Sequence, residues 1–285
     1  MLQPIHSICV CGAGTMGSGI AQVCAQSGFY TVLFDLNSEI LSKAKTNTDK
    51  SLQTLVEKGK ISVEKKQDIS NRIQFTNDIN FCIADIVIEA IIEKLDAKIA
   101  LFNQLAEINH SETIFASNTS SLSVSEIATR VVHPTRVIGM HFFNPAPAMK
   151  LVEVVKAEQT ILPVLNMVME LTRQLNKTPV ICKDSPGFIV NRVARHYYLE
   201  SLRIAEKGIA GFEEIDKILE ATGFRMGPFK LMDLIGNDIN YSVTQSLYEA
   251  FDKPVRFKPS PIQEEKVSKQ ELGRKTGKGY YDYSK

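Results

Sequence analysis

Three observations predict an α/β fold, with a doubly wound, mainly parallel sheet and a smaller all-helical C-terminal domain. Short apolar runs alternate with amphipathic helical stretches through the first part of the chain. The first of these runs feeds directly into a glycine-rich turn. Beyond about residue 183, helical periodicity continues and strand signals stop. A chain of 285 residues has room for two domains with a substantial core. The predicted division is an α/β domain over residues 1–183 and a helical domain over 184–285.

The elements follow in order. Residues 5–10 form a short, largely apolar run, as expected of a strand covered on both faces. Gly12-Ala13-Gly14-Thr15-Met16-Gly17 comes next and opens an amphipathic stretch that Gly28 would stop. Thr31-Val32-Leu33-Phe34 reads as a second strand ending on Asp35, and a charged stretch over 38–70 follows. Ile86-Val87-Ile88, Thr113-Ile114-Phe115-Ala116 and Arg136-Val137-Ile138-Gly139 read as further strands, with a helical pattern over 95–108. Later, Ile189, Val190, Val193 and Tyr197 recur at helical spacing, and Gly208 would end that helix. Further helical stretches lie near 213–221, 227–236 and 238–250, and no internal repeat is visible.

Composition excludes several classes of function. Hydrophobic residues make up 44% and charged residues 23%, and 33 basic residues face 32 acidic ones. No overall field recruits nucleic acid or an anionic membrane. No apolar run approaches the roughly 20 residues of a membrane span. The start, Met1-Leu2-Gln3-Pro4-Ile5-His6, lacks the basic region and cleavage site of a leader, and Tyr283-Ser284-Lys285 is no peroxisomal ending. Cys9, Cys11, Cys24, Cys82 and Cys182 are odd in number and form no Cys-x-x-Cys pair. They read as reduced core thiols of a cytoplasmic protein rather than disulfides or a metal site.

The glycine-rich turn carries the first functional signal. It sits between a predicted strand and a predicted helix, and Asp35 follows Gly12 by 23 positions. That context makes it a dinucleotide-binding, Rossmann-type fingerprint. Gly12 permits the tight turn, Gly14 lets the backbone approach a pyrophosphate, and Gly17 allows close helix–strand packing. With Thr15 and Met16 they present the N–H groups of a helix start to that anion. Asp35 would accept from the adenosine ribose hydroxyls and repel a 2′-phosphate. Leu36 and Asn37 offer no cation for such a phosphate, so NAD is expected over NADP.

The second signal is catalytic. Ligands bind outside the carboxyl ends of strands in an open parallel sheet. Ser117-Asn118-Thr119-Ser120-Ser121 follows one predicted strand and Met140-His141-Phe142-Phe143-Asn144-Pro145 another, so both clusters should face one crevice. Glu153 lies in the apolar stretch Leu151-Val152-Glu153-Val154-Val155, where a buried carboxylate needs a partner. A histidine held by a glutamate is a suitable base for oxidising a secondary alcohol. On these residues alone, His141 is also consistent with a structural histidine and Ser120 with a solvated turn. Asn191 is consistent with capping or packing, and Glu93, Lys98 and Lys275 with surface charges.

Taken together, these motifs resemble the 3-hydroxyacyl-coenzyme A dehydrogenase family, nearly end to end. The resemblance runs through 12–17, 115–122, 141–145, 150–155, 184–192, 226–229 and 273–281. It implies that His141 is the catalytic base, Glu153 its partner, and Ser120 and Asn191 hydrogen-bonding groups near the substrate oxygen. It implies cofactor contacts at Asp35, Glu93, Lys98, Ser120, Asn144 and Lys275. It also implies coenzyme A contacts at Ser51 and Lys58, and a homodimer formed through the helical domain. His196 stands where many members of the family carry proline. The substrate so implied is a short-chain (S)-3-hydroxyacyl-CoA.

Coenzyme A is a polyanion, and residues 43–66 hold seven lysines against three acids. Ser51 and Lys58, seven apart, share a helical face. A solvated helix would show the same surplus. Three other functions remain to be separated. A Ser-His-Glu hydrolase is disfavoured because Asn118-Thr119-Ser120-Ser121-Leu122 is no Gly-x-Ser-x-Gly elbow. A dehydrogenase of a free hydroxy or sugar acid would be active without a thioester. A non-catalytic NAD-binding protein would bind NADH without turnover.

Overall fold

The computed structural model describes residues 5–284. Residues 1–4, on which the reading of the amino terminus partly rests, and residue 285 lie outside the described residues. The chain divides into two compact units, Met1–Ser185 and Pro186–Lys285.

The first unit is built on eight strands: β1 (Ser7–Cys11), β2 (Tyr30–Phe34), β3 (Ile73–Thr76), β4 (Ile86–Glu89), β5 (Ile114–Ser117), β6 (Val137–Phe142), β7 (Leu151–Lys156) and β8 (Thr178–Lys183). They form one sheet in the order β3-β2-β1-β4-β5-β6-β7-β8. Six helices connect them: α1 (Thr15–Gln26), α2 (Ser38–Glu57), α3 (Val63–Asn71), α4 (Leu95–Ile108), α5 (Val124–Thr129) and α6 (Leu162–Gln174). Every residue of β4, β5 and β6 is buried, which is why these strands read as continuous apolar runs rather than alternating ones. Ile8, Val10, Leu33, Ile86 and Ile88 point into one core cluster with Ile20, Cys24 and Val168.

Only the β6–β7 pairing is antiparallel, so β7 and β8 run against the other six strands. The link over 143–150 explains the reversal. It is shorter than the roughly twelve residues a parallel crossover needs. The sequence reading recognised the apolar stretch around Glu153 without assigning it to a strand. It also missed β3, β8 and α6.

The second unit holds α7 (Val190–Glu206), α8 (Phe212–Ala221), α9 (Pro228–Ile235), α10 (Asn237–Ala250) and α11 (Pro261–Ser268). Gly208 closes α7 at φ 65°, a conformation that glycine adopts without a Cβ penalty. Its core gathers Tyr198, Leu202, Phe229, Met232, Leu247 and Phe257. His196 lies on α7 with its ring 5.2 Å from that of Phe257. Two buried aspartates lock the unit. Asp216 accepts from the N–H groups of Phe229 and Lys230 at the start of α9. Asp233 accepts from those of Tyr280 and Tyr281 near the chain end. No helix among the described residues is long and apolar enough to cross a membrane.

Candidate active site

The carboxyl ends of β1, β4, β5 and β6 carry the polar groups of the first unit. At β1 the turn is shaped by two close approaches. A Cβ on Gly12, which has φ 100°, would lie 2.6 Å from the Ala90 carbonyl oxygen. A Cβ on Gly17 would lie 1.7 Å from that of Gly12, so neither position admits a side chain. Gly14 faces open space and caps α1 without a side-chain hydrogen bond, and no acid occupies the first turn. The unsatisfied N–H groups at Thr15 and Met16 thus begin a helix suited to an anion. Asp35 accepts from Ala13 N–H at 2.8 Å through Oδ2 and from Asn37 N–H at 2.9 Å through Oδ1. Each oxygen keeps a further lone pair for a ligand hydroxyl. Gly12, Gly14 and Asp35 line a cleft of about 550 Å³, walled by Leu36, Ile40, Ile92 and Leu101. A dinucleotide fits this chemistry: no Cβ in the turn, an acid for a ribose, and apolar walls for an adenine.

At the ends of β4 and β5 the structure assembles an acid–lysine relay. Glu89 ends β4 opposite Ser117, which ends β5 and donates to Glu89 Oε2 at 2.7 Å. Lys98, on α4, donates to Glu89 Oε1 at 2.5 Å and pairs with Glu93 Oε2 at 3.0 Å. Glu93 Oε1 in turn accepts from Thr119 Oγ1 at 2.5 Å, Ser120 N–H at 3.0 Å, and both Ser121 N–H and Oγ. Burial pushes the Glu89 carboxyl above its ordinary value despite Lys98. Burial also opposes the charge on Glu93, but Lys98 and the Thr119 hydroxyl outweigh it and hold that carboxyl low. Lys98 is 1% exposed, which overturns its reading as a surface charge. It is a buried pivot between two carboxylates.

At the end of β6 stands the histidine–glutamate pair. The antiparallel register sets His141 directly across from Glu153 on β7. His141 Nδ1 and Glu153 Oε2 are 2.7 Å apart, and both residues are buried. An ionised carboxylate only accepts, so it selects the tautomer with the proton on Nδ1 and makes Nε2 the basic nitrogen. The Phe143 ring packs 4.6 Å from the imidazole. Burial, and then the Glu153 charge, push the neighbouring Cys182 thiol up to about 12. Asn118 Oδ1 accepts from Phe142 N–H at 2.8 Å, tying the loop after β5 to the end of β6.

The structure thus brings together Gly12, Gly14 and Asp35; Glu93, Lys98 and Ser120; and His141 and Glu153. Asn144 is exposed just beyond β6. Ser51 is half-buried on α2 and Lys58 exposed at its end. Of the nearby lysines, Lys65 and Lys66 are paired with Asp68 and Asp49. Asn191 lies in the first turn of α7, where its carbonyl accepts from Arg195. Lys275 pairs with Asp238 at 2.6 Å within the second unit. Sequence reasoning missed Glu89. It placed Ser117 in the polar cluster after β5 and Asp184 at the head of the 184–192 motif without giving either a role; Asp184 accepts from Ser123 Oγ at 2.6 Å and Ser125 N–H at 2.7 Å. Glu89 carried a legible signal, an acid closing a wholly apolar run.

Comparison with known proteins gives consistent matches. Family models described as "3-hydroxyacyl-CoA dehydrogenase, NAD binding domain" and its "C-terminal domain" match residues 7–185 and 187–283. A 3-hydroxyadipyl-CoA dehydrogenase of Escherichia coli (strain K12) is 45% identical over 99% of this chain, which spans 60% of that protein's length. A 3-hydroxybutyryl-CoA dehydrogenase of Clostridioides difficile is 40% identical over 98% of this chain and 99% of its own length. The crystal structure of an (S)-3-hydroxybutyryl-CoA dehydrogenase from Ralstonia eutropha superposes with a TM-score of 0.94 at 38% identity. That match covers 99% of this chain and 100% of the other.

Proposed function

Because the chain belongs to the 3-hydroxyacyl-CoA dehydrogenase family, we propose that it interconverts a short-chain (S)-3-hydroxyacyl-CoA and the 3-ketoacyl-CoA, with NAD as cofactor. The observation that carries this reading is the buried His141–Glu153 pair, with His141 near the carboxyl end of β6 as the dinucleotide turn is at that of β1. NAD, when bound, supplies the nicotinamide that accepts or returns a hydride at C3. Gly12, Gly14, Thr15, Met16 and Gly17 would hold its pyrophosphate, and Asp35 its adenosine ribose. Asp35 presents a negative charge where NADP would carry a 2′-phosphate, so NAD is preferred.

In the oxidative direction His141 takes the 3-hydroxyl proton at Nε2 as C3 is oxidised. The imidazole becomes cationic against the Glu153 carboxylate, which stabilises it without leaving the buried pair. In reduction the protonated ring polarises the ketone and then donates its proton. Ser120 and Asn191 are the hydrogen-bonding groups we assign to that oxygen. Glu93 serves the cofactor side by fixing the loop that carries Ser120, and Lys98 by fixing Glu93. Asn144 and Lys275 complete the cofactor contacts. Ser51 and Lys58 would meet the coenzyme A phosphates. We assign the dinucleotide to residues 1–183 and dimerisation to the helical residues 184–285 of a cytoplasmic homodimer, which light scattering would test against the 31.8 kDa chain.

The deciding experiment is NADH oxidation against a series of 3-ketoacyl thioesters, from acetoacetyl-CoA to longer and carboxylate-terminated chains. Turnover is expected to be fastest with the short unbranched members. Turnover of a free hydroxy acid, with none of any thioester, overturns the proposal.

A further inference from the structure

We propose that Cys9, Cys11 and Cys82 form a buried three-sulfur site for a soft, closed-shell monovalent metal ion of the copper(I) class, beneath the dinucleotide turn. The sequence reads these cysteines as small core residues, and nothing in their spacing groups Cys82 with the other two. The fold does. Cys9 and Cys11 are two apart on β1, so their side chains leave the same face of the sheet. Their sulfurs are 3.7 Å apart. The short helical turn Ile79–Phe81, which leads towards β4, brings in Cys82. All three sulfurs then lie within 4.8 Å of one another, and all three residues are fully buried.

Geometry and charge select the ion. Three sulfur–metal bonds of about 2.3 Å around one ion set the sulfurs about 4.0 Å apart, close to the 3.7 Å between Cys9 and Cys11. No histidine, carboxylate or fourth cysteine joins the group among the described residues. Zinc in structural sites takes four ligands, whereas soft sulfur donors also select copper(I). One thiolate and one monovalent cation leave no net charge to bury, which a divalent ion would not achieve without losing further protons. The ion replaces the Cys82 thiol proton, which leaves to solvent, and takes lone pairs from the Cys9 and Cys11 sulfurs, with no electron transferred.

Position gives the site a consequence. Cys11 precedes Gly12, whose N–H donates to the Phe34 carbonyl at 2.7 Å and whose carbonyl touches Gly17. An ion held on the Cys11 sulfur sits one residue from this turn, and opening the Cys9–Cys11 spacing from 3.7 Å towards about 4.0 Å should weaken NADH binding. The test is anaerobic titration of the reduced protein with copper(I) held by a competing chelator, followed by ultraviolet sulfur-to-metal charge transfer. One equivalent should bind, and NADH affinity should fall severalfold with it. Cys82→Ser should lower copper(I) affinity at least 100-fold, whereas Cys24→Ser and Cys182→Ser should not. Cys9→Ala and Cys11→Ala carry the same expectation should Cys82→Ser not fold, with circular dichroism as the check. Absence of the band, or an affinity indifferent to all three substitutions, would reduce the cluster to core packing.

Discussion

Glu153 reaches His141 from the facing strand at 2.7 Å, in a place where neither residue meets much water. Glu153→Gln keeps the shape and removes the charge that favours the imidazolium. The expected loss in kcat is about 10²- to 10⁴-fold, the range of general acid–base catalysis. NADH affinity should be unchanged, because the turn and Asp35 are untouched. Steady-state kinetics and nicotinamide fluorescence separate the two, and near wild-type kcat removes Glu153 from the mechanism. Asp35→Ala acts on the other side. It removes a ribose acceptor and the partner of Ala13 N–H. A hydrogen bond to a charged group contributes about 1.5–3 kcal/mol, so NADH should bind roughly 10- to 100-fold more weakly. The preference over NADPH should narrow, and an unchanged ratio of the two affinities would count against the assignment. The two were legible for different reasons: Asp35 by its spacing after the glycine-rich turn, Glu153 because a carboxylate within an apolar run must be satisfied. Glu89 met that criterion too and was overlooked. Its partner Lys98 is a lysine on an amphipathic helix, and only the tertiary fold shows that it points inward.

The loop after β5 is held less by its own sequence than by α4, through Lys98 and Glu93. Lys98→Met would leave two carboxylates without their buried cation. Breaking such a pair costs about 3–5 kcal/mol, so thermal unfolding should drop by roughly 6–20 °C. A loss under 2 °C would place Lys98 outside the fold's support. Acid should act on the same element. Glu93 titrates below its ordinary value of 4.5, so its ionisation stabilises the folded form. That contribution is fully present above 4.5 and is lost as pH falls through the lower folded value. Urea unfolding of wild type and Glu93→Gln should therefore differ most near pH 6 and converge below pH 4.5. A constant difference would rule out this linkage. Elements were legible where a strand is almost wholly buried or a helix is periodic: β1, β2, β4, β5 and α4 stand where the apolar runs and periodicity put them. They were illegible at the sheet's two edges. Strand β3 is only four residues long, with Gln74 and Thr76 beside Ile73 and Phe75. Strand β8 leaves Ile181 half exposed, and Pro179 interrupts its pattern. Edge strands take their identity from a neighbour, which no local window contains.

The two units each have a separate apolar cluster, so each has its own reason to fold. The sequence placed the division at residue 183 because strand signals end there, and the compact units divide after Ser185. What it could not show is how the second unit closes on itself. Asp233, 1% exposed, gathers the Tyr280 and Tyr281 N–H groups, the Tyr283 hydroxyl and the Asn237 amide. These partners lie up to 50 positions away, beyond the reach of periodicity. Gly279 makes that convergence possible, since a Cβ there would stand 1.9 Å from an Asp233 carboxylate oxygen. Gly279→Ala should therefore displace a buried charge from its donors, an uncompensated loss of several kcal/mol. Local unfolding follows the units that share a core. Hydrogen exchange should accelerate across residues 186–285 while the amides of β1, β4 and β5 stay protected. NADH binding should survive within about tenfold, the margin left for a contact from Lys275, and turnover of acetoacetyl-CoA should be lost. Equal loss of protection in both units would mean that the second unit does not fold as a separate body, and full thioester turnover that it takes no part in the reaction.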